Sequence, residues 1–116
     1  MLDRNCIFCK IAAGVIDADI VYQTGQVVAF RDTNPQAPTH VLVIPRKHIA
    51  TINDLEEPDA DDVGRLYLAA QQVARDEHID QSGYRTVMNC MEGAGQSVFH
   101  IHLHVLGGRR MSWPPG

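Results

Sequence analysis

Three histidines occupy alternate positions in the segment FHIHLHVL, which runs from residue 99 to residue 106. Because successive side chains of a β-strand point to opposite faces, His100, His102 and His104 are predicted to share one face. The other face then carries the apolar residues Phe99, Ile101, Leu103 and Val105. Three interpretations follow: solvated surface imidazoles, a catalytic zinc site, or a neutral imidazole that acts as a nucleophile while the others assist it.

A glycine-rich loop, GAGQS, precedes these histidines at residues 93–97. Gly93 and Gly95 let backbone N–H groups approach an anion closely, and Gln96 and Ser97 add polar side chains. The composition suits a phosphate-binding loop beside the histidines, and a plain tight turn would have the same composition.

The remaining sequence pattern predicts the elements that must position these residues. Strands are expected at 19–24, 27–32, 40–45, 84–89 and 98–106, and helices at 6–14 and 58–79. Gly14 suits the C-terminal cap of the short helix, and Asp59 suits the N-cap of the long helix. The long helix has an apolar stripe formed by Val63, Leu66, Tyr67, Ala70, Val73 and Ala74. Because the strands are mostly consecutive, we expect an α+β fold with a five-stranded antiparallel sheet, whose open edges need protection.

Length, charge and cysteine content narrow the class of protein. A chain of 116 residues, 45% of them hydrophobic, is expected to form one domain over residues 1–116. The net charge of −4 argues against a nucleic-acid-binding protein, which would present a basic face. No apolar run reaches the ~18 residues that span a bilayer, and MLDRNCIFCK lacks the apolar core of a signal peptide. The odd count of three cysteines favours reduced thiols, so we expect a cytoplasmic protein without a membrane partner.

The segment QSVFHIHLHVLGGRRMSWPPG resembles the signature of the histidine-triad (HIT) family, in which three histidines alternate with apolar residues. FRDTNPQAPTHVLVIPRKHI, at residues 30–49, is similar to the upstream block of that family. The resemblance covers nearly the whole chain and is closest to the nucleotide-binding branch that hydrolyses purine nucleoside phosphoramidates. It implies a HIT-like fold whose sheet continues across a homodimer, and cleavage of the P–N bond of purine nucleoside 5′-phosphoramidates. Two alternatives remain, namely dinucleoside polyphosphate hydrolysis and a regulatory module that binds nucleotides with incidental turnover.

The resemblance assigns catalytic roles to five residues of this chain. His102 matches the nucleophile, which would form a covalent nucleotidyl-histidine intermediate. His104 matches a phosphate contact, and because the transferase branch has glutamine there, it points to hydrolysis. Ser97 matches a serine that hydrogen-bonds the phosphate or the bridging atom, and His40 matches a histidine near the leaving group. His100 completes the triad, and no cofactor is expected for catalysis.

The resemblance also implies a purine nucleotide site. Asp32 matches the carboxylate that accepts hydrogen bonds from the ribose hydroxyls, whereas Asn89 and Gln96 fall beside the phosphate. The purine slot is formed by Phe8, Ile11, Phe30, Thr33 and Leu42. Such an apolar slot is expected to bind AMP and GMP with weak discrimination. The tail at residues 107–116, which contains Trp113, is expected near the active site on the leaving-group side.

Cys6 and Cys9 form a Cys-x-x-Cys pair, for which a redox pair, a packing role and a structural zinc site are the alternatives. A redox pair needs a βαβ context, which the sequence pattern does not predict. Members of the HIT family bind zinc through such a pair, a downstream histidine and the first triad histidine, which here are His48 and His100. The resemblance therefore implies a structural zinc at these four residues, with His100 anchoring the strand that carries His102.

Overall fold

The computed structural model describes residue 3 and residues 5–116, so residues 1, 2 and 4 of the predicted domain lie outside the described part. In chain order the helices and strands are α1 (Ile7–Ala12), β1 (Ile20–Gln23), β2 (Val27–Arg31), β3 (Thr39–Pro45), α2 (Ala60–Asp76), β4 (Tyr84–Val87) and β5 (Leu103–Gly107). Short 3₁₀ turns occur at Ile52–Asp54, Glu57–Asp59 and Glu92–Ala94. The strands lie in the order β1-β2-β3-β5-β4, and neighbouring strands are antiparallel. The predicted α+β class, with a five-stranded antiparallel sheet, one long helix and one short helix, is confirmed.

The two faces of the sheet pack against different helices, because alternate residues of each buried strand point to opposite sides. On one face, Leu103 and Val105 of β5 are buried in one cluster with Leu66 of α2. On the other face, Leu42 of β3 is buried with Phe8 of α1. The apolar residues of β5 therefore contact the long helix, as the alternation predicts, and the space beside the short helix is left for the histidines.

Helix α1 has defined signals at both of its ends. At its N-terminus, the Cys6 sulfur accepts a hydrogen bond from the Cys9 N–H. At its C-terminus, Gly14 has a φ of 75°, its N–H donates to the oxygen of Ile11, and the Val15 N–H donates to the oxygen of Lys10. This pair of bonds is a Schellman motif, which requires a left-handed residue and so favours glycine. The predicted role of Gly14 is confirmed.

Helix α2 differs from its prediction at two residues. Asp59 precedes the helix but does not cap it, because its carboxylate accepts hydrogen bonds from the Glu56 N–H and from the ammonium group of Lys47. Tyr67 is exposed, and Ala69 lies in the core in its place, since the stripe that faces the sheet is turned slightly around the helix.

Among the described residues, no helix has the length and apolarity that crossing a membrane would require.

The last strand begins later than the sequence pattern predicts. Leu103 is its first residue and pairs with Val43, so continuing the ladder would place Ile101 opposite Pro45. Proline has no N–H to donate, and the Ile101 N–H donates instead to the oxygen of Ile49. Residues 98–102 therefore lie outside the strand, and Phe99 is exposed rather than part of the apolar face.

Candidate active site

A cavity of about 620 Å³ lies on the face of the sheet that α1 covers. Its floor contains His104, Leu42 and Phe30, which are paired across three strands, and the same row of paired residues continues to Ile20 of β1. Neighbouring strands are about 4.8 Å apart, so the row is about 14 Å long at the backbone. The cavity therefore has a histidine end on β5 and an opposite end at the start of β1, with an apolar slot between them.

One ring nitrogen of His102 carries no hydrogen, and the hydrogen bond made by the other nitrogen identifies it. Nδ1 lies 2.8 Å from the backbone oxygen of His100, and because a carbonyl oxygen only accepts, Nδ1 carries the hydrogen. In the neutral imidazole Nε2 then keeps its electron pair. The ring packs edge-on against Phe8 of α1, with 5.1 Å between the ring centroids. The wall of the cavity thus contains a neutral imidazole in the tautomer that leaves Nε2 nucleophilic.

His40 and His104 are hydrogen-bonded to each other, and one backbone contact determines the tautomers of both rings. The Gln36 N–H donates to Nδ1 of His40 at 3.0 Å, which puts the hydrogen of that ring on Nε2. Nε2 of His40 lies 2.9 Å from Nδ1 of His104 and donates to it. Nε2 of His104 therefore carries a hydrogen. His104 lines the cavity as a donor, whereas His102 lines it as an acceptor.

Burial keeps these three imidazoles uncharged at neutral pH. It is the largest cause that lowers the pKa of His102 below 6.5, against the opposing hydrogen bond to a backbone carbonyl. Burial, with the neighbouring His102 and His40, lowers the pKa of His104 to about 4. Burial also lowers the pKa of His40, although the nearby Asp32 carboxylate acts in the opposite direction. The neutral state is the one that a nucleophilic nitrogen and an N–H···N hydrogen bond both require.

The structure brings most of the predicted nucleotide-site residues to this one cavity. The predicted residues that line it are Phe8, Ile11, Phe30, Asp32, Thr33, Leu42, Ser97, His102 and His104. Asp32 Oδ1 accepts a hydrogen bond from a backbone N–H of the following turn at 2.8 Å, and Oδ2 lies 3.4 Å from His40 Nε2. His40 is buried behind His104, so it reaches the cavity only through that ring.

Besides His40, three of the predicted catalytic and nucleotide-binding residues lie outside the cavity lining. His100 is completely buried and points to the cysteines, and Asn89 is half-buried on the segment that follows β4. The buried amide of Gln96 is fully used inside the protein. Its Oε1 accepts from the Met91 N–H, and its Nε2 donates to the oxygens of Ala50 and Val98. The Gln96 amide has no donor left for a phosphate. It instead holds the glycine-rich loop in place, and the next residue, Ser97, lines the cavity.

Sequence reasoning missed one stretch of the cavity wall. The residues Ile16, Asp17, Ala18 and Asp19 join α1 to β1 and line the cavity, as do Ile7, Arg31 and Val98. Residues 16–18 lie outside every predicted helix and strand, and Asp19 begins the strand predicted at 19–24 but precedes β1 in the structure, so the sequence pattern did not indicate that this stretch faces the cavity. The two aspartates within three residues were the one visible signal.

A second group of side chains lies beside α1, where Cys6, Cys9, His48 and His100 place four ligand atoms within 4.8 Å of one another. His100 Nδ1 lies 3.3 Å from Cys6 Sγ, 3.5 Å from Cys9 Sγ and 3.3 Å from His48 Nδ1. A tetrahedral zinc site with metal–ligand bonds of about 2.0–2.3 Å has ligand atoms about 3.3–3.8 Å apart. The spacing of this group fits a zinc ion.

The hydrogen bonds around the group also suit a metal. His100 Nε2 lies 2.7 Å from the oxygen of Pro45 and donates to it, so Nδ1 keeps an electron pair toward the sulfurs. Burial is the main cause that lowers the pKa of His100 to about 4, which keeps the ring neutral. The Asp3 N–H donates to Cys9 Sγ at 3.4 Å, as N–H groups do around metal-bound thiolates. The residues present can therefore hold zinc.

Comparison with known proteins places this chain among relatives of similar length and fold. Residues 13–111 match the HIT domain. The chain is 48% identical to the purine nucleoside phosphoramidase of Escherichia coli K12 over 106 residues, which cover 91% of this chain and 89% of that protein. The structure is similar to a HIT family hydrolase from Legionella pneumophila, with a TM-score of 0.94, 53% identity and coverage of 97% and 100% of the two chains. A histidine triad protein from Clostridium difficile also has a TM-score of 0.94, at 39% identity and 97% coverage of both chains.

The protein therefore belongs to the HIT family. This result confirms the resemblance that the alternating histidines and the upstream block carry, and it agrees with the α+β fold and the antiparallel sheet described above.

The buried His104 predicts a specific dependence of stability on pH. Its pKa of about 4 in the native state lies below 6.5, so between these values the unfolded chain binds the proton more readily. The free energy of unfolding should therefore fall as the pH is lowered from 6.5 to 4, by up to about 1.4 kcal/mol per pH unit from this one group. Urea unfolding at several pH values should give a shallower slope for His104→Gln, whose amide oxygen can still accept from His40. Equal slopes for the two proteins would contradict the assignment.

Proposed function

We propose that the protein hydrolyses the P–N bond of purine nucleoside 5′-phosphoramidates through a covalent intermediate on His102. The chain is a hydrolase of the HIT family, because its similar relatives include a HIT family hydrolase and a purine nucleoside phosphoramidase. The observation that carries the finer proposal is the tautomer of His102. It leaves Nε2 with an electron pair in a cavity that also contains a donor, His104, and a carboxylate, Asp32.

The reaction proceeds in two displacements. In the first, His102 Nε2 forms a bond to phosphorus while the P–N bond to the amine breaks, and the amine takes one proton from solvent water as it leaves. In the second, water attacks the phosphorus and gives one proton back to solvent, the bond to Nε2 breaks, and the nucleoside monophosphate is released with the imidazole neutral again. His104 donates its Nε2–H to a phosphate oxygen in both steps, and the hydroxyl of Ser97 is the second donor in the cavity wall. His40 acts as a positioning residue, because it holds the tautomer of His104.

The rest of the cavity is suited to one purine nucleoside. Asp32 lines the same cavity, with Oδ2 3.4 Å from His40 Nε2, and its carboxylate can accept hydrogen bonds from ribose hydroxyls. Phe8, Ile11, Phe30 and Leu42 provide apolar surface for the faces of the base. A volume of about 620 Å³ is of the size that holds a single small ligand, which favours a mononucleotide over a dinucleoside polyphosphate.

The His102→Ala variant tests the enzymatic proposal. We expect wild type to release AMP from adenosine 5′-phosphoramidate, as followed by phosphorus NMR, and the variant to be slower by at least about a thousandfold. Rapid quenching and mass spectrometry should detect the nucleotidyl adduct on wild type alone. The control is His78→Asn, which changes an exposed histidine outside the cavity. Equal AMP release by wild type and His102→Ala would instead favour a regulatory nucleotide-binding module.

We also propose that Cys6, Cys9, His48 and His100 hold a structural zinc. When bound, the ion would supply a rigid link between α1 and the segment that leads into β5. Burial raises the pKa of the Cys9 thiol, so a cation is needed to stabilise the thiolate there.

The described cysteines are all free thiols, and we place the protein in the reducing cytoplasm.

Elemental analysis tests the zinc proposal. We expect about one zinc per chain, as four protein ligands bind one tetrahedral ion. Cys9→Ser should lose the metal and unfold at a lower temperature, whereas Cys90→Ser should retain it, because Cys90 lies outside the group. The site would be refuted if purified wild type contained no zinc and unfolded at the same temperature as Cys9→Ser.

We further propose that the chain acts as one HIT domain and forms a homodimer through β4. Both β1 and β4 are edges of the sheet, but β1 has an irregular register between Ile20 and Tyr22, which discourages pairing with another strand. Arg85 of β4 donates to the oxygen of Ser112 and so holds the tail beside this edge. Trp113 is 82% exposed and is not part of the cavity of its own chain, so the tail is free to reach the active site of a second copy.

Sedimentation equilibrium tests the dimer. We expect a mass of twice the 12.9 kDa chain, and a lower mass at the same concentration for Thr86→Pro, which interrupts β4. Val21→Pro, at the other edge, is the matched control and should leave the mass of the wild type unchanged. A wild-type mass of one chain, or a Val21→Pro variant that alone dissociates, would contradict pairing through β4.

A further inference from the structure

The end of the cavity opposite the histidines is closed by residues 16–19, the segment between α1 and β1. All four of these residues line the cavity, together with His102 and His104. The segment precedes Ile20, which is the last member of the row that begins at His104, about 14 Å away at the backbone. A nucleotide with its phosphate at His102 therefore directs its base toward this segment.

Asp17 is the carboxylate of this segment that has no partner within the described residues. The other acids of the cavity are engaged, because Asp19 lies 3.5 Å from Arg31 Nε and Asp32 accepts a backbone N–H. Arg31 is in turn held by both oxygens of Glu77, at 2.6 and 3.1 Å. Since Asp17 is exposed and lines the cavity, its oxygens can accept hydrogen bonds from a ligand without breaking an internal contact.

The purine bases differ in what they offer to a carboxylate, which only accepts hydrogen bonds. Guanine presents two adjacent donors, N1–H and the N2 amino group. Hypoxanthine presents only N1–H on that edge, and adenine presents one amino donor beside N1, an acceptor that repels a carboxylate. A carboxylate at the edge of the base therefore favours guanine, then hypoxanthine, then adenine.

We propose that Asp17 is a specificity residue that makes the protein select guanine over adenine nucleotides. The proposal rests on the proposed function, because that function places the phosphate at His102 and so the base at residues 16–19. It departs from the weak discrimination that an apolar slot alone predicts, because the slot ends in Asp17, a carboxylate without a partner among residues 3 and 5–116.

Two measurements on the full-length protein test this selectivity. The first is kcat/KM for guanosine, inosine and adenosine 5′-phosphoramidates, and the second is the Kd of GMP, IMP and AMP by titration calorimetry. We expect guanosine to exceed adenosine by about tenfold in both, as a hydrogen-bonded carboxylate on a partly exposed edge would give, with inosine between them.

Asp17→Asn distinguishes recognition of the base from a structural effect. Its amide has one acceptor oxygen and one NH₂ group, so it can pair with the amino group and N1 of adenine as well as with N1–H and O6 of guanine, but it loses the two adjacent acceptors that favour guanine. The guanosine-to-adenosine ratio should therefore fall to about one or below while thermal stability is unchanged, because specificity moves with the hydrogen-bonding groups. The matched control is Asp80→Asn, which removes an exposed carboxylate outside the cavity and should leave the ratio as in wild type.

The outcomes separate this inference from the function on which it rests. If wild type hydrolyses both phosphoramidates but the ratio is near one, or if Asp17→Asn leaves the ratio unchanged, Asp17 does not read the base and the proposed function stands. If neither phosphoramidate is hydrolysed, the proposed function fails, and the Kd values of GMP and AMP for wild type and Asp17→Asn still decide whether Asp17 selects guanine.

Discussion

The hydrogen bond from His102 Nδ1 to the backbone oxygen of His100 is the interaction on which the active site depends, because it alone leaves Nε2 unprotonated. It is available because the ladder between β3 and β5 stops at Leu103. In a continued ladder the carbonyl of His100 would face a neighbouring strand instead of the ring two residues ahead. Pro45 ends the ladder, since it has no N–H, and its oxygen accepts the Nε2–H of His100. Pro45 therefore leaves the His100 carbonyl available to accept from His102, and its own oxygen holds the His100 side chain.

The cysteine and histidine group extends this constraint to α1. His100 Nδ1 lies beside the sulfurs of Cys6 and Cys9, which flank the first turn of the helix, and Phe8 between them packs edge-on against His102. The four proposed zinc ligands and the His102 ring are thus joined by two routes, through the backbone of His100 and through the ring of Phe8. A displacement of α1 would therefore alter the packing of the His102 ring as well as the lining of the cavity.

The elements and the main site residues were predictable, whereas long-range hydrogen bonds were not. Alternation predicted that His102 and His104 share one side, and both line the cavity, although His102 lies just before β5. It failed for Phe99, whose position depends on Pro45, more than fifty residues earlier in the chain. Gln96 suited a phosphate site by its type, but its amide is held by Ala50 across the fold. The end of the cavity opposite the histidines was missed because residues 16–18 lie in a connection without periodicity and Asp19 was assigned to the predicted strand.

The charges along the cavity show how it must hold an anionic ligand. Its described lining includes three aspartates, and the one guanidinium, that of Arg31, is already paired with Glu77 and Asp19. With no free cation at the histidine end and neutral imidazoles there, a phosphate group is held by N–H and O–H donors rather than by opposite charge. Such neutral donors gain strength as negative charge develops on the oxygens they face. Under the proposed function, affinity for the nucleoside then comes from Asp32 and the apolar slot, whereas the proposed reaction takes place at the histidine end of the cavity.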